Sequence, residues 1–531
     1  MKLRFGKALP AALMAGGMAL AAGGAAAEVV VDVIRENDTE RYDPQKTTAR
    51  ASADVVFMIF DNLVTLDYDM KSIQPGLAKS WSVSDDGLVY TFELRDDVTF
   101  CSGKKLDAEA VVASIKRWLD PATGGVVKSK AGNVDDIVAT GPLTVEYRLK
   151  TAYSELLLQM TQHYFAIINA EEAAAQGVDY GVKGIDGTGP FCFVSWTPRD
   201  KTVLVKHEGY NWGPPQFTYQ SPQVDKVIWH VSPEESTRVA GLQTGQGDVL
   251  QHVPYWAIPQ LEADPNLNHS KAEAYFWNYY VGMKITRPNM QDVKVRKALN
   301  LAVDTEAIAD AVYFGYAEPA NTYMSQKVTD FDAAVPTGQF SYDPEKAAAL
   351  LDEAGWKLGG DGVREKDGEK FEIVAYATNL PKNQQIIEAV QGDLRKIGVD
   401  LKVELYDSTV IWGKLKTQDF DMYTMSYPYL TASDGIALYF SSKNMPAPNR
   451  MNWDDPEETD VWLQKANASA TPDQRKEWVS KILNKVHDAT VWIPIAHEPL
   501  FIFSNAKKLK PVRAHGIYGA GLYKGLELAP K

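Results

Sequence analysis

The residues that could do chemistry are present, but their spacing does not match any familiar catalytic arrangement. The eight histidines stand at 163, 207, 230, 252, 269, 487, 497 and 515, with no metal-ligand spacing among them. His207-Glu208 and His497-Glu498 begin like a zinc-protease helix, yet neither is followed by the second histidine that would complete the ligand pair. Gly184 to Gly189 and Gly519 to Gly525 are glycine-rich, but neither completes a dinucleotide-binding turn after a strand. The sequence holds no phosphate loop of the G-x-x-x-x-G-K-[ST] type and no G-x-S-x-G elbow. The acidic pairs Asp85-Asp86, Asp96-Asp97 and Asp135-Asp136 are neighbours in sequence, so on a strand they face opposite sides and in a turn they face water, which argues against the geometry of glycosidase carboxylates. Asp67-Tyr68-Asp69 starts like a calcium loop, but its glycine comes late, at Gly76, and no glutamate closes it, so it reads as a turn. No metal and no cofactor is expected.

Charge and composition narrow the partners. The chain has 531 residues, with 55 Lys+Arg against 69 Asp+Glu, a net charge of −14. An acidic chain with no basic cluster after its first ten residues is a poor ligand for nucleic acid, whose phosphates are met by basic patches. Its 13 Trp, 25 Tyr and 18 Phe exclude a disordered chain. Residues 1–27 read as a secretory signal: Lys2, Arg4 and Lys7, an uncharged run from Ala8 to Ala22, then Ala25-Ala26-Ala27 before Glu28. Cleavage there takes the net charge to −17 over 504 residues. No cysteine follows the apolar run, so no lipid anchor is indicated, and no later stretch is long and apolar enough to span a bilayer. The expected location is the periplasm. That compartment permits disulfides, so Cys101 and Cys192 are either a bridged pair, the favoured reading, or two buried thiols.

The elements that would position a site are mixed α and β, without repeats. Trp81 to Leu94 reads as a hairpin turning at Asp86-Gly87. Asp107 caps a helix with Val111, Ile115, Trp118 and Leu119 on one face. Helix starts are also expected at Ser232-Pro233-Glu234-Glu235, read as a capping box ending near Gly245, at Thr471-Pro472, and at Asp343-Pro344 with a stop near Gly355. Phe371–Thr378, Gln384–Ile397 and Val399–Leu405 form a strand, helix and strand, so the two strands should be parallel with a right-handed crossover. Thr378-Asn379 and Tyr406-Asp407 then sit at carboxyl ends of strands, where α/β folds meet ligands.

Seven segments together resemble one family. They are Leu77 to Gly87, Leu94 to Phe100, Gly187 to Phe191, Leu242 to Asp248, Val295 to Asp304, Tyr342 to Ala347 and Glu353 to Trp356. Their order and spacing are similar to the family 5 extracellular solute-binding proteins, the peptide- and nickel-type receptors of ABC importers. The resemblance implies an α/β, two-lobed periplasmic binding protein fold of class II, with an inserted subdomain and a hinge between lobes. It would place lobe I at 28–60, 185–270 and 490–531, the inserted subdomain at 61–184 and lobe II at 271–489. It implies a non-enzymatic, monomeric receptor that captures a small peptide or peptide-like solute, of the di/tripeptide or glutathione type, and hands it to an ABC permease and its ATPase. A nickel-chelate, haem or opine receptor on the same fold is the alternative, and a secreted hydrolase the reading from another class.

The ligand would lie between the lobes. Tyr275 to Tyr280 would mark the crossing into lobe II, where alternate side chains face opposite ways. Tyr275, Trp277 and Tyr279 are taken as the cleft set, with a packed core as the competing fate. Tyr427 and Tyr429, after a lobe II strand, are further candidates, and Asp407 and Asp434 could accept an ammonium. Dipeptide receptors of this family pin the peptide ammonium with an aspartate just after the Tyr427 position and the carboxylate with an arginine near the end of the first βαβ strand. Here those places hold Pro428-Tyr429-Leu430 and Asn379. An amide does not easily replace a bidentate Arg–carboxylate pair, which leaves Arg41, in lobe I, as either a substitute anion anchor or a surface residue.

Overall fold

The strand Val30–Arg35 is flanked on both sides by parallel neighbours, and a sheet grows outward from it. A computed structural model describes residues 28–217, 220–272, 277–337, 341–407, 410–516 and 526–530. Val30–Arg35 pairs in parallel with Lys226–Val231 and with Val249–Leu250. Antiparallel strands complete a seven-stranded sheet in the order Leu267–Ala272, Leu500–Asn505, Val249–Leu250, Val30–Arg35, Lys226–Val231, Lys201–Lys206, Phe191–Thr197. Its central strands alternate: Val31, Val33, Val227 and Trp229 are fully buried on one face, while Asp32 and His230 pair at 2.7 Å on the other.

A second sheet of six strands runs Glu318–Pro319, Trp492–His497, Trp277–Met283, Met422–Pro428, Glu372–Thr378, Asp400–Tyr406. The strand–helix–strand reading holds within it. Glu372–Thr378 and Asp400–Tyr406 are parallel from Glu372↔Asp400 to Thr378↔Tyr406, joined by the helix Pro381–Lys396 that buries Ile386, Ile387, Val390 and Leu394. The helix begins three residues earlier than its apolar period suggests, because Pro381 fits the first helical position, where no amide hydrogen is needed. Trp492–His497 pairs with Trp277–Met283, so this segment belongs to the second sheet and not to the lobe I piece expected from residue 490. The chain therefore passes between the large sheets after Ala272 and again across Glu498-Pro499. Two short crossings side by side are what a hinge requires.

The segment from 61 to 184 carries a four-stranded antiparallel sheet, Ala78–Val83, Val89–Leu94, Thr144–Leu149 and Val134–Gly141 in spatial order 1-2-4-3. Its first hairpin turns at Gly87, whose φ of +70° a side chain would resist. The helix Ala108–Leu119 is capped by Asp107, which accepts from the Ala110 amide. Cys101 and Cys192 are joined in a disulfide with Cα atoms 5.7 Å apart, tying this subdomain to the first sheet. On its other side the subdomain packs on lobe II. Lys130 pairs with Asp434, Arg475 Nη1 donates to Ser154 Oγ at 2.6 Å, and Ser433 Oγ donates to Glu155 Oε1 at 2.7 Å.

Two capping readings hold: Thr471 accepts from the Gln474 amide and Asp343 from the Lys346 amide, each with proline next. The third is corrected. Ser232 caps nothing; Glu234 is the cap of Glu235–Gln243, its carboxylate accepting from the Ser236 and Thr237 amides. A glutamate reaches both amides, and the proline lies outside the helix. Among the described residues no helix is long and apolar enough to cross a membrane.

Candidate functional site

The carboxyl ends of the parallel strands in both sheets converge on one cavity of about 480 Å³, within the range usual for small-molecule sites. From the first sheet come Glu36, just past Val30–Arg35, and Gln251 to Trp256, just past Val249–Leu250. The second sheet contributes Thr378 at its strand end, Leu380 to Asn383 at the amino end of the following helix, and Thr424, Met425 and Ser426 from Met422–Pro428. Tyr279 and Glu498 line the cavity beside the two crossings. The wall is thus shared between both lobes and the hinge.

The lobe I side is set by backbone geometry. The Gln251 amide donates to Ile34 O at 3.1 Å, continuing the parallel pairing one residue beyond the strand. His252 then adopts a left-handed φ of +52°, a costly conformation for a side-chain-bearing residue, before Pro254 and the turn Tyr255–Ala257. Gln251 is buried, and neither Oε1 nor Nε2 has a hydrogen-bond partner; the same is true of His252 Nδ1. Burial, reinforced by Arg50, Arg238, Arg35 and Lys382, holds the His252 imidazole well below its usual range, so it is neutral. From lobe II, Ser426 Oγ is buried without a partner.

The lobe II side is built around an ion pair. Lys382 Nζ donates to Glu498 Oε1 and Oε2 at 2.8 and 2.7 Å, and Tyr313 Oη donates to Oε1 at 2.8 Å. Burial and this carboxylate push the Tyr313 phenol well above its usual range, so it stays a donor. Lys382 also lies over the rings of Tyr313 and Tyr279, at 5.7 and 5.9 Å. The arrangement fixes the helix Pro381–Lys396 to the second crossing. Around the mouth stand Trp256, Phe314 and Trp412, exposed by 40, 54 and 51%. Three large exposed aromatics on one rim mark a surface that meets something other than water.

The residues singled out in the sequence divide. Tyr279 lines the cavity, and the next residue, Tyr280, faces away and stacks on Trp492 at 3.8 Å. Tyr275 lies outside the described residues. Trp277 and Tyr427 are placed as strand backbone only, Trp277 opposite Pro428 and Tyr427 opposite Asn278. Asn379 does not line the cavity; its amide closes the parallel pair by donating to Tyr406 O. The Asp407 carbonyl accepts from the Val410 and Ile411 amides at the start of a helix. Tyr429 is core, its hydroxyl accepting from the Ser325 amide at 2.8 Å. Asp434 is committed elsewhere, to Lys130, to Gln159 Nε2 at 3.1 Å and to the Leu430 amide. Arg41 is half-buried beside Thr39 and is not on the wall. Sequence reasoning missed Arg50, Gln251, His252, Trp256, Lys382 and Trp412. Trp256 and Trp412 had a signal, a tryptophan beside polar or turn residues, but Gln251 had none.

Cys101, Cys192 and His207 also come together, with ligand atoms within 4.8 Å of one another. The two sulfurs are spent on each other, and His207 Nδ1 lies 2.9 Å from Gly189 O.

The profile of the bacterial extracellular solute-binding proteins, family 5, matches residues 72–447. The chain is 27% identical to the nickel-binding periplasmic protein of Escherichia coli K12, covering 87% of each. It is 28% identical to the glutathione-binding protein GsiB of the same strain, covering 91% of each. Among solved structures it is similar to the oligopeptide-binding protein AppA of Bacillus subtilis in complex with a nonapeptide, with a TM-score of 0.83, 23% identity and coverage of 95% and 100%.

Proposed function

The chain belongs to the bacterial extracellular solute-binding proteins of family 5, and from that premise we propose that it is a periplasmic receptor for a small peptide or peptide-like solute, which it delivers to an ABC permease. The observation that carries this reading is the cavity between the lobes, where Gln251, His252 and Ser426 hold buried polar atoms without protein partners. Such atoms are costly in an empty protein and are satisfied when a solute replaces water. The aromatic rim of Trp256, Phe314 and Trp412 adds apolar surface for its side chains.

The leader at residues 1–27 supports export to the periplasm, and the names of the nickel-binding and glutathione-binding relatives agree with that compartment. The chemistry in the cleft is that of binding. Its Lys382–Glu498 pair is neutralised within itself, and Ser426 Oγ and His252 Nδ1 are not hydrogen-bonded to a protein partner.

Thermal denaturation of the mature chain with di- and tripeptides, glutathione and nickel–histidine tests the reading. A solute at a hundredfold excess over its Kd stabilises by about 2.7 kcal/mol. A rise in Tm without turnover is expected. No rise with any solute, together with hydrolysis of an ester or glycoside, would end the receptor reading. A rise with nickel–histidine alone would turn it to the chelate.

A further inference from the structure

Cys101, Cys192 and His207 meet where the inserted subdomain joins the first sheet, and none of the three lines the cavity. Each is held by bonds other than the sulfur–sulfur bridge. The Cys101 amide donates to Gly187 O at 2.9 Å, and Ser102 beside it is fixed to Asp186 through its amide at 2.9 Å and its hydroxyl at 2.6 Å. Cys192 stands in the hairpin of Phe191–Thr197 and Lys201–Lys206, in register with Val205. His207 follows the second of these strands, buried, with its amide donating to Pro190 O at 2.9 Å. Opening the bridge therefore leaves the three side chains facing one another.

The imidazole is already arranged as a ligand. Gly189 O, 2.9 Å from Nδ1, can only accept, so in the neutral ring the proton is on Nδ1 and Nε2 keeps its lone pair. A backbone carbonyl on the far nitrogen is the usual support of a metal-binding histidine. Trp212 packs edge-on against the ring at 5.5 Å and fixes its plane. Thr99 Oγ1, at 3.4 Å from Nε2, makes only a long contact there. The two cysteines supply the remaining donors. Their Cα atoms are 5.7 Å apart, and a tetrahedral ion with sulfur at about 2.3 Å needs the sulfurs only about 3.8 Å from each other. Rotation about the two Cα–Cβ bonds gives that spacing.

We propose that the reduced pair and His207 form a site for a thiophilic divalent cation that prefers four ligands, zinc or cadmium. A dithiol reductant opens the bridge: its thiolate attacks one sulfur, and its second thiol resolves the mixed disulfide. Two electrons and two protons pass to Cys101 and Cys192, and the dithiol becomes a disulfide. The ion then displaces both thiol protons, takes the two thiolates and Nε2, and leaves its fourth position to water. Two thiolates cancel its charge, so no carboxylate is required. The junction is thus tied covalently when oxidised and through an ion when reduced. The site is independent of what the cleft between the lobes holds.

Titration of the mature chain with cadmium and with zinc tests it, once after reduction with dithiothreitol and desalting without air, and once in the oxidised form. The reduced chain should take one cadmium ion, with the ultraviolet absorption of thiolate–cadmium bonds, and should melt higher with zinc than without. The oxidised chain should do neither. His207→Asn should keep both thiols countable and weaken zinc binding by about tenfold or more; equal binding would mean that the thiols chelate alone, which overturns the site. Should that variant not fold, X-ray absorption of the zinc-loaded wild type decides: sulfur with imidazole supports the site, and sulfur without imidazole overturns it. A reduced chain with two countable thiols and no cadmium absorption would overturn it too. So would a chain that unfolds on reduction and is not restored by zinc, or equal zinc binding by the oxidised chain.

Discussion

Asp54 shows how a single residue can work against the fold around it. It is buried on the helix Arg50–Ile59, its Oδ2 has no partner, and burial raises its carboxyl to about 6. A carboxyl with a folded pKa above its unfolded value of 3.8 costs stability once ionised, so that cost grows as pH rises from about 4 through 6. Asp54→Asn should therefore stabilise the protein at pH 7.5, by up to about 3 kcal/mol, with the gain fading by pH 4. Urea unfolding at both pH values measures it; a loss of stability at pH 7.5 would mean that Arg50 and Arg35 need the charge. The same scale explains why Asp434 was misread. As a lone aspartate after an aromatic strand it resembles an ammonium acceptor, but its partners Lys130 and Gln159 lie far away in sequence. Only the packed subdomain brings them together.

At the scale of elements, the clearest elements in the sequence were those whose signals are local. Alternation gave the hairpin at Gly87, and apolar period with proline starts gave the helices at Thr471 and Asp343. Gln251 was hidden because its role comes from parallel pairing with a strand more than two hundred residues earlier. The join between the inserted subdomain and lobe II was hidden for the same reason. There Arg475 lies 3.8 Å from Glu155 and 3.6 Å from Asp330, all three nearly inaccessible. Removing the cation from such a buried group leaves two uncompensated carboxylates. Arg475→Met should lower stability by about 3–5 kcal/mol, measured by denaturant unfolding; a change near zero would mean that the Ser433 hydroxyl and the Ala432 amide hold the carboxylates without the cation. The disulfide holds the subdomain's other side. Replacing Cys101 and Cys192 with alanine should cost about 2–5 kcal/mol, which comparison of their melting curves with wild type would show.

For the whole molecule, pH and closure are the shared variables. His163, His487 and His515 are buried and neutral, held at about 4, 3 and 4 chiefly by desolvation. Because these values lie below that of the unfolded chain, near 6.5, their contribution is complete above pH 6.5. It is lost as pH falls from there towards 4. Stability should decline across that window by as much as about 3 kcal/mol per imidazole, an upper bound, against the smaller opposite gain at Asp54. Denaturant midpoints at half-unit steps would show it, and a flat profile would contradict it. The two-lobed plan was legible because family-like segments run through the whole chain, whereas the cavity wall was legible only at Tyr279 and Thr378. The most direct test of the central claim is native mass spectrometry of the chain purified from the periplasm without denaturation. One small solute per chain is expected, lost on unfolding and absent from Gln251→Leu. A mature chain without adduct, before and after incubation with the peptide panel, would contradict it.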